Sequence, residues 1–319
     1  MFSLLARKPW YLLVLPAAVL MAALGARSGS SLQAGNAEAA VVAAASDKNT
    51  AGVATSMLGA TTLMAERSTA VAAGLPLDLR AALEAGTDLF AYAQQLQAAA
   101  DAGNAEAGWV ASRIYDHCGV FAMDPSGYAL DSAALQRMDL DAISAMLAAR
   151  GRVRQSCAGF SAADGLGRGR LLQQRLASAK AGNLAAEAAL LSMGEPLSDA
   201  PEYRRALVER VQSSQDPEAF LAISGAMGTA AAGDEAYSGL VAGTQFSQLA
   251  WQVAACQLGL ACGPDSTLMV AYCANGGICS RDPRQDFESF VYDAAVSRQG
   301  MEKMNEMVSS LRKARRGVR

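Results

Sequence analysis

Residues 98–107 read AAADAGNAEA, and this stretch is the clearest indication of helical hairpins in the chain. Alanine is the best helix former, and here it stands on both sides of a single glycine. Gly103 can adopt the positive φ that ends a helix, so the stretch predicts two helices joined by a tight turn. The triplet Ala-Gly-Asn recurs at residues 181–183, in a second Ala-rich setting. The chain is therefore expected to contain helical hairpins whose small side chains let the helices approach closely.

The rest of the chain favours the same fold class. Hydrophobic residues make up 52% of the 319 residues but aromatic residues only 6%, so a core would consist largely of small side chains. An aspartate precedes a proline at Asp124, Asp216 and Asp282, a pair of residues typical of a capped helix start. No stretch alternates polar and β-branched residues as a strand would. We predict an all-α fold, with helices covering most of residues 76–315.

A short pattern resembles a known repeat family. Residues 98–107, followed by Ala111 and Tyr115, resemble the A-x-x-G-x-x-x-A…L-G-x-x-Y pattern of Sel-one-like repeats, which are relatives of the tetratricopeptide repeat. Residues 179–189 repeat its first half, and the resemblance covers about residues 90–194. It implies an irregular, solenoid-like array of helical hairpins whose concave face binds other proteins. The alternative architecture is an Ala-rich helical bundle.

The N-terminus has the features of an export signal. Arg7 and Lys8 precede an uncharged apolar run over residues 9–26, which is the order of a signal peptide. The run also approaches the length of a membrane span, so residues 1–26 are predicted to be a cleaved signal or an N-terminal anchor. We expect a periplasmic or secreted protein, or one tethered to the inner membrane through residues 9–26.

Composition divides the remainder of the chain into three parts. Residues 27–74 are rich in Ala, Ser, Gly and Thr, and are predicted to be a disordered linker. Residues 75–243 are predicted to form the repeat-like helical domain. Residues 244–319 are predicted to form a Cys-rich helical hairpin and a basic C-terminal helix packed on the same domain.

Six cysteines in an exported chain predict disulfides, because the compartment is oxidising. Zinc is the alternative, but zinc ligands usually have two to four residues between them, whereas each close pair here has five residues between its cysteines. Separation along the chain favours Cys118 with Cys157. The six residues are Cys118, Cys157, Cys256, Cys262, Cys273 and Cys279.

The four C-terminal cysteines allow three pairings. Residues 263–265, Gly-Pro-Asp, predict a turn between two antiparallel helices. Cys256 and Cys273 lie about equally far from this turn, so we expect them to pair and to hold the hairpin together. Cys262 would then pair with Cys279.

Two motifs invite a catalytic interpretation. His117 is the only histidine and lies between Asp116 and Cys118, but adjacent residues on a helix point about 100° apart and do not form a triad by themselves. Glu288-Ser289 is similar to the pair that lytic transglycosylases use, yet few residues follow it. The spacing favours a helix that buries Phe287 and Phe290. We predict no catalytic residue, cofactor or metal.

Charge limits the choice of partner. The net charge of −3 gives no broad basic field, so nucleic acid is not expected as the principal ligand. Residues 312–319 are strongly basic. They are expected either at anionic lipid or as a solvated helix end whose cations complement the helix dipole.

Together these features predict an exported, non-enzymatic helical scaffold or adaptor that binds another protein of the cell envelope. The alternative is a cell-envelope enzyme that acts on peptidoglycan through carboxylates which the sequence does not single out. A spacer without a specific ligand is a third hypothesis.

Overall fold

A computed structural model of the chain describes residues 78–85, 88–138 and 141–313. The predicted signal or anchor, the linker and most of the basic tail lie outside these residues, and the boundary placed after residue 243 stays a prediction. Within the described residues there are thirteen α-helices and no strand, so the all-α prediction is confirmed. In this part of the chain no helix combines the length and the apolar character that crossing a bilayer requires.

The helices follow one another with short connections. They are α1 (Leu79–Glu84), α2 (Leu89–Asp101), α3 (Ala105–Met123), α4 (Pro125–Gln136), α5 (Asp141–Ser156), α6 (Arg168–Lys180), α7 (Leu184–Ser192), α8 (Pro201–Ser214), α9 (Pro217–Ile223), α10 (Gln245–Gln257), α11 (Thr267–Ala274), α12 (Phe287–Ala294) and α13 (Met301–Arg312). Short 3₁₀ helices lie at Ala162–Asp164, Thr229–Ala231, Glu235–Tyr237 and Arg298–Gly300.

Most helices pack in a series. α2 packs on α3, α3 on α6, α6 on α7, α7 on α9, α9 on α10 and α10 on α13. α5 leaves this series and packs between α4 and α11. The fold is thus an array of packed helices, as predicted, with α5 and α11 covering one side of it.

The two Ala-Gly-Asn triplets form the same turn. Gly103 has φ +97° and Gly182 has φ +96°, values that favour glycine. The Asn104 side chain accepts a hydrogen bond from the backbone N–H three residues on, at 3.0 Å. Asn183 does the same at 2.8 Å. The sequence repeat is therefore a structural repeat, since α2–α3 and α6–α7 are hairpins with the same turn and the same N-terminal cap.

Small residues set the distance between these hairpins. A Cβ atom at Gly108 on α3 would lie 2.3 Å from the Ser178 Oγ on α6. Ala107, Ala185 and Ala186 are also fully or almost fully buried near the starts of α3 and α7. The small side chains that give the chain its low aromatic content thus also allow the helices to pack closely.

Two of the three Asp-Pro pairs begin helices as predicted. Asp124 caps α4 and Asp216 caps α9 through their side chains. The prediction at Asp282 is wrong, because its carboxylate accepts from the Arg284 N–H in a turn and helix α12 starts only after Asp286. An aspartate before proline favours local side-chain hydrogen bonding, which serves a turn as well as a helix.

The Cys118–Cys157 bridge is present. It joins α3 to the residue after α5, with 5.6 Å between the two Cα atoms. Both cysteines are completely buried. The bridge therefore fixes the end of α5 against α3.

The predicted Cys256–Cys273 pairing is wrong. The structure pairs Cys256 with Cys262 and Cys273 with Cys279, so each bridge closes a short segment within the C-terminal region. The prediction assumed that the two helices lie face to face. Instead α11 packs mainly against α5, whereas α10 packs against α9 and α13.

A tight turn after α10 and another after α11 explain the observed cysteine pairs. Gly259 has φ +109°, and the next residue, Leu260, donates its N–H back to the Ala255 carbonyl at 3.0 Å. Gly277 has φ +71°, and the Ile278 N–H returns to the Tyr272 carbonyl at 3.0 Å. Each turn reverses the chain, so that the next cysteine lies beside the last turn of the preceding helix.

Candidate functional site

A cleft of about 400 Å³ opens among α3, α6, α7, α9, α10 and α11. This volume lies within the range of ligand-binding pockets. Apolar and small side chains line part of it. Its polar or amphipathic lining residues are Trp109, Arg113, Asp116, His117, Arg175, Ser192, Ser224, Gln248, Gln252, Thr267 and Asn275.

Arg113 is held at one side of the cleft by a charged network. It donates to the Glu218 carboxylate and, at 3.0 Å, to the Thr267 hydroxyl, and it lies 3.8 Å from the Glu84 carboxylate. The Trp109 indole N–H also donates to Glu218, at 3.3 Å. Burial opposes the charge of Arg113, but the two glutamates more than offset this effect and raise the pKa of the guanidinium. The network joins α1, α3, α9 and α11, so it holds four helices together at the wall of the cleft.

Arg175 projects from α6 and is far less well paired. Its side chain is only 9% exposed. One Nη donates to the Asp116 carboxylate at 2.8 Å, and the other lies 3.3 Å from the Met193 sulfur. Its buried Nε has no hydrogen-bond partner within the described residues. The guanidinium carbon lies 5.8 Å from the centre of the Trp109 ring.

His117 lines the same cleft and is neutral at neutral pH. Burial, and then the positive charge of Arg113, lower its pKa to about 4 against the opposing effect of Asp116. No hydrogen bond connects its imidazole to another described residue. Asp116 pairs with Arg175 instead, and Cys118 is bonded to Cys157, so the Asp-His-Cys sequence does not assemble into a triad.

The cleft hydroxyls are committed to other partners. Ser192 donates to the main-chain carbonyl of Ala222 at 2.6 Å, and Ser224 donates to a main-chain carbonyl of its own helix at 2.7 Å. Thr267 donates to Glu84 at 2.6 Å. Each hydroxyl hydrogen therefore points to an acceptor other than His117.

Two amide side chains face the cleft without a partner. Gln248 and Asn275 make no side-chain hydrogen bond to another described residue, although both line the cleft. By contrast, Gln252 bridges the Ser224 hydroxyl at 3.3 Å and the Tyr272 hydroxyl at 2.7 Å. Unpaired amides can donate and accept at once, which suits recognition of other amides.

The other sequence candidates lie elsewhere. Glu288 accepts from the Gln257 amide at 2.6 Å on α12, and Phe287 and Phe290 are buried as predicted. Neither Glu288 nor Ser289 lines the cleft. Every cysteine is disulfide-bonded, and no group of three or more potential metal-binding side chains occurs within residues 78–85, 88–138 and 141–313.

Sequence reasoning missed the cleft, although α3 carries a signal for it. Trp109, Arg113 and His117 are spaced four apart, which places them on one face of a helix. A tryptophan, an arginine and the only histidine on one such face indicate a polar, partly buried surface. Comparison of the chain with known protein families, curated proteins and solved structures finds no match.

Proposed function

We propose that the protein is an exported helical adaptor whose cleft binds an extended segment of another cell-envelope protein. One observation carries the proposal. Several hydrogen-bonding side chains that lack a partner within the described residues, His117, Gln248 and Asn275, line a single cleft together with the underpaired Arg175. Arg175 is the buried member of this set, and a buried donor without an acceptor supports the presence of an external partner. His117 and Gln248 are half-buried and Asn275 is exposed, so each can exchange water for a ligand.

A peptide segment suits this lining. The backbone of an extended peptide presents N–H and C=O groups in alternation, and the Gln248 and Asn275 amides match both. Apolar contact for a peptide side chain is available from Met193, Leu221 and Leu268. A mixture of apolar surface and a few convergent polar groups is the usual character of a binding cleft.

The carboxylates near the cleft support binding over the enzyme alternative. A glycoside hydrolase of peptidoglycan needs one carboxyl group that is protonated and a second that is free to act as base or nucleophile. Here Glu84 and Glu218 both face Arg113, and Asp116 pairs with Arg175. Each of these carboxylates is thus engaged by an arginine of the cleft wall.

Location in the cell envelope is part of the same proposal. Three disulfides, two of them closing only short segments, support an oxidising compartment. The resemblance to Sel-one-like repeats supports a protein-binding role, and the two matching hairpin turns are consistent with such a repeat.

Selection from a random peptide library on the oxidised protein tests the function. Gly225 borders the cleft, and a Cβ added there makes only an ordinary contact, 3.5 Å from Ser192. Gly225→Phe should therefore fill the cleft and weaken the selected peptides by about 10-fold or more. Gly169→Phe is the matched control, since Gly169 faces open space on α6.

Two outcomes would contradict the proposal. One is a selection that recovers no peptide, or only peptides that bind Gly225→Phe as well as the wild type. The other is the release of soluble fragments from purified peptidoglycan by the wild-type protein, which would favour the enzyme alternative.

A further inference from the structure

Arg175 has unusually few acceptors for a buried guanidinium. The group carries five N–H donors. Its contacts are one strong acceptor, Asp116, and one weak acceptor, the Met193 thioether. Arg113 is by comparison surrounded by Glu218, Glu84 and Thr267. A largely buried arginine with unused donors, lining a cleft, is arranged to receive a further acceptor.

The Asp116 partner of Arg175 is easily displaced. Its side chain is 59% exposed, whereas that of Arg175 is 9% exposed. Asp116 can turn into water at little cost, because an exposed carboxylate keeps most of its hydration. Arg175 cannot follow it without leaving the wall. Asp116 thus occupies the place of a carboxylate that a ligand would bring.

The two glutamates near the cleft are engaged by Arg113 and not by Arg175. The Trp109 indole contacts both Arg175 and Glu218, because its ring centre lies 5.8 Å from the Arg175 guanidinium carbon and its N–H donates to Glu218 at 3.3 Å. Glu84 and Glu218 both pair with Arg113, and neither forms an ion pair with Arg175. Among the described residues Asp116 is the carboxylate paired with Arg175, so an incoming anion would compete with this exposed group for the guanidinium.

We infer that the cleft recognises a carboxylate of its peptide ligand, which exchanges with Asp116 as the partner of Arg175. The inference rests on the proposed peptide-binding function. The carboxylate is either the C-terminus of the peptide or the side chain of an Asp or Glu residue. Neutral side chains that line the same cleft, such as the Gln248 amide, can supply hydrogen bonds without adding charge.

Three pools of N-acetylated tripeptides distinguish the two sources. The first has random residues other than Asp, Glu and Cys and a free C-terminal carboxylate; the second has the same sequences as C-terminal amides. The third consists of amides with Glu fixed in the middle. We expect the wild-type protein to bind the first or the third pool about 10-fold or more tighter than the second, by affinity-selection mass spectrometry. The preferred pool identifies the source.

Two variants connect the preference to the residues. Arg175→Gln should remove the preference between pools. Asp116→Asn, at an exposed position, should strengthen binding of the preferred carboxylate pool by about 3-fold and leave the neutral pool unchanged. If Arg175→Gln no longer unfolds cooperatively, the test depends on Asp116→Asn alone. An unchanged affinity of Asp116→Asn for the preferred carboxylate pool then overturns the inference.

The failure of this inference differs from the failure of the proposed function. Equal binding of all three pools, or a preference that survives Arg175→Gln, overturns carboxylate recognition while peptide binding stands. If the wild type binds none of the pools and recovers nothing from the random library, both proposals are wrong.

Discussion

Removing the Cys118–Cys157 bridge should cost much more stability than removing either short bridge. The two residues are 39 apart in sequence, whereas Cys273 and Cys279 are 6 apart. The chain-entropy relation for a cross-link gives about 4 kcal/mol for a loop of this longer length and about 2 kcal/mol for the shorter one. The double replacement Cys118→Ala and Cys157→Ala should therefore lower the free energy of unfolding by about 4 kcal/mol.

Burial adds to this difference. Cys118 and Cys157 are completely buried, so truncating them also leaves a cavity. Cys279, by contrast, is only partly buried. A loss of about 4 kcal/mol is a large part of the 5–15 kcal/mol that is typical of a whole domain.

Urea unfolding of the oxidised proteins, followed by far-ultraviolet circular dichroism, measures the loss. The control is the matched double replacement Cys273→Ala and Cys279→Ala, with an expected loss of about 2 kcal/mol. An equal or larger loss in the control would refute the reasoning from loop length. So would a loss below about 1 kcal/mol for the long-range pair.

Three further predictions follow from single residues. Glu218→Gln should cost about 3–5 kcal/mol, because it leaves the buried Arg113 without its main counter-ion. The pKa of His117 is lowered to about 4 from an ordinary 6.5, so the unfolded chain binds the proton first and stability should fall as the pH drops from 6.5 toward 4. Gly182→Ala should cost about 1 kcal/mol or more because φ is +96°, whereas Gly151→Ala, inside α5 with open space around it, should stabilise by about 0.5–1 kcal/mol.

Each of these predictions has its own check. Chemical denaturation measures the stability of the Glu218 variant. A loss of less than about 1 kcal/mol in the free energy of unfolding would contradict the prediction, because it would mean that Arg113 finds other partners or water. For His117, denaturation at pH 7 and pH 4.5 is compared with His117→Gln, whose stability should decline less over that window. For the glycines, opposite signs are expected, and a destabilised Gly151→Ala together with a neutral Gly182→Ala would contradict the assigned backbone conformations.

Local chemistry made much of the fold predictable. The Ala-Gly-Asn triplets at 102–104 and 181–183 specify a helix end, a positive φ and an N-cap within three residues, and all of these occur. Asp124 and Asp216 likewise carry their cap in their own side chains. Such features depend on nearest neighbours in sequence, which a single sequence displays.

The cleft and the C-terminal bridges were not predictable in the same way. Arg175 meets Asp116 across 59 residues, and Arg113 meets Thr267 across 154. The partner of Cys256 depends on whether α11 lies against α10 or against α5. These are questions of tertiary packing, and the residue types alone allowed three pairings.

One helix links the stability of the molecule to its candidate site. On α3, Arg113 and His117 face the cleft while Cys118 is bonded to Cys157. Adjacent residues on a helix point about 100° apart, so the bridge holds a side of α3 that differs from the cleft side. The bridge also anchors α5, on which α11 packs, and α11 supplies Thr267 to the Arg113 network. A single cross-link outside the cleft thus restrains α3 and α11, the two walls that carry Arg113 and Thr267.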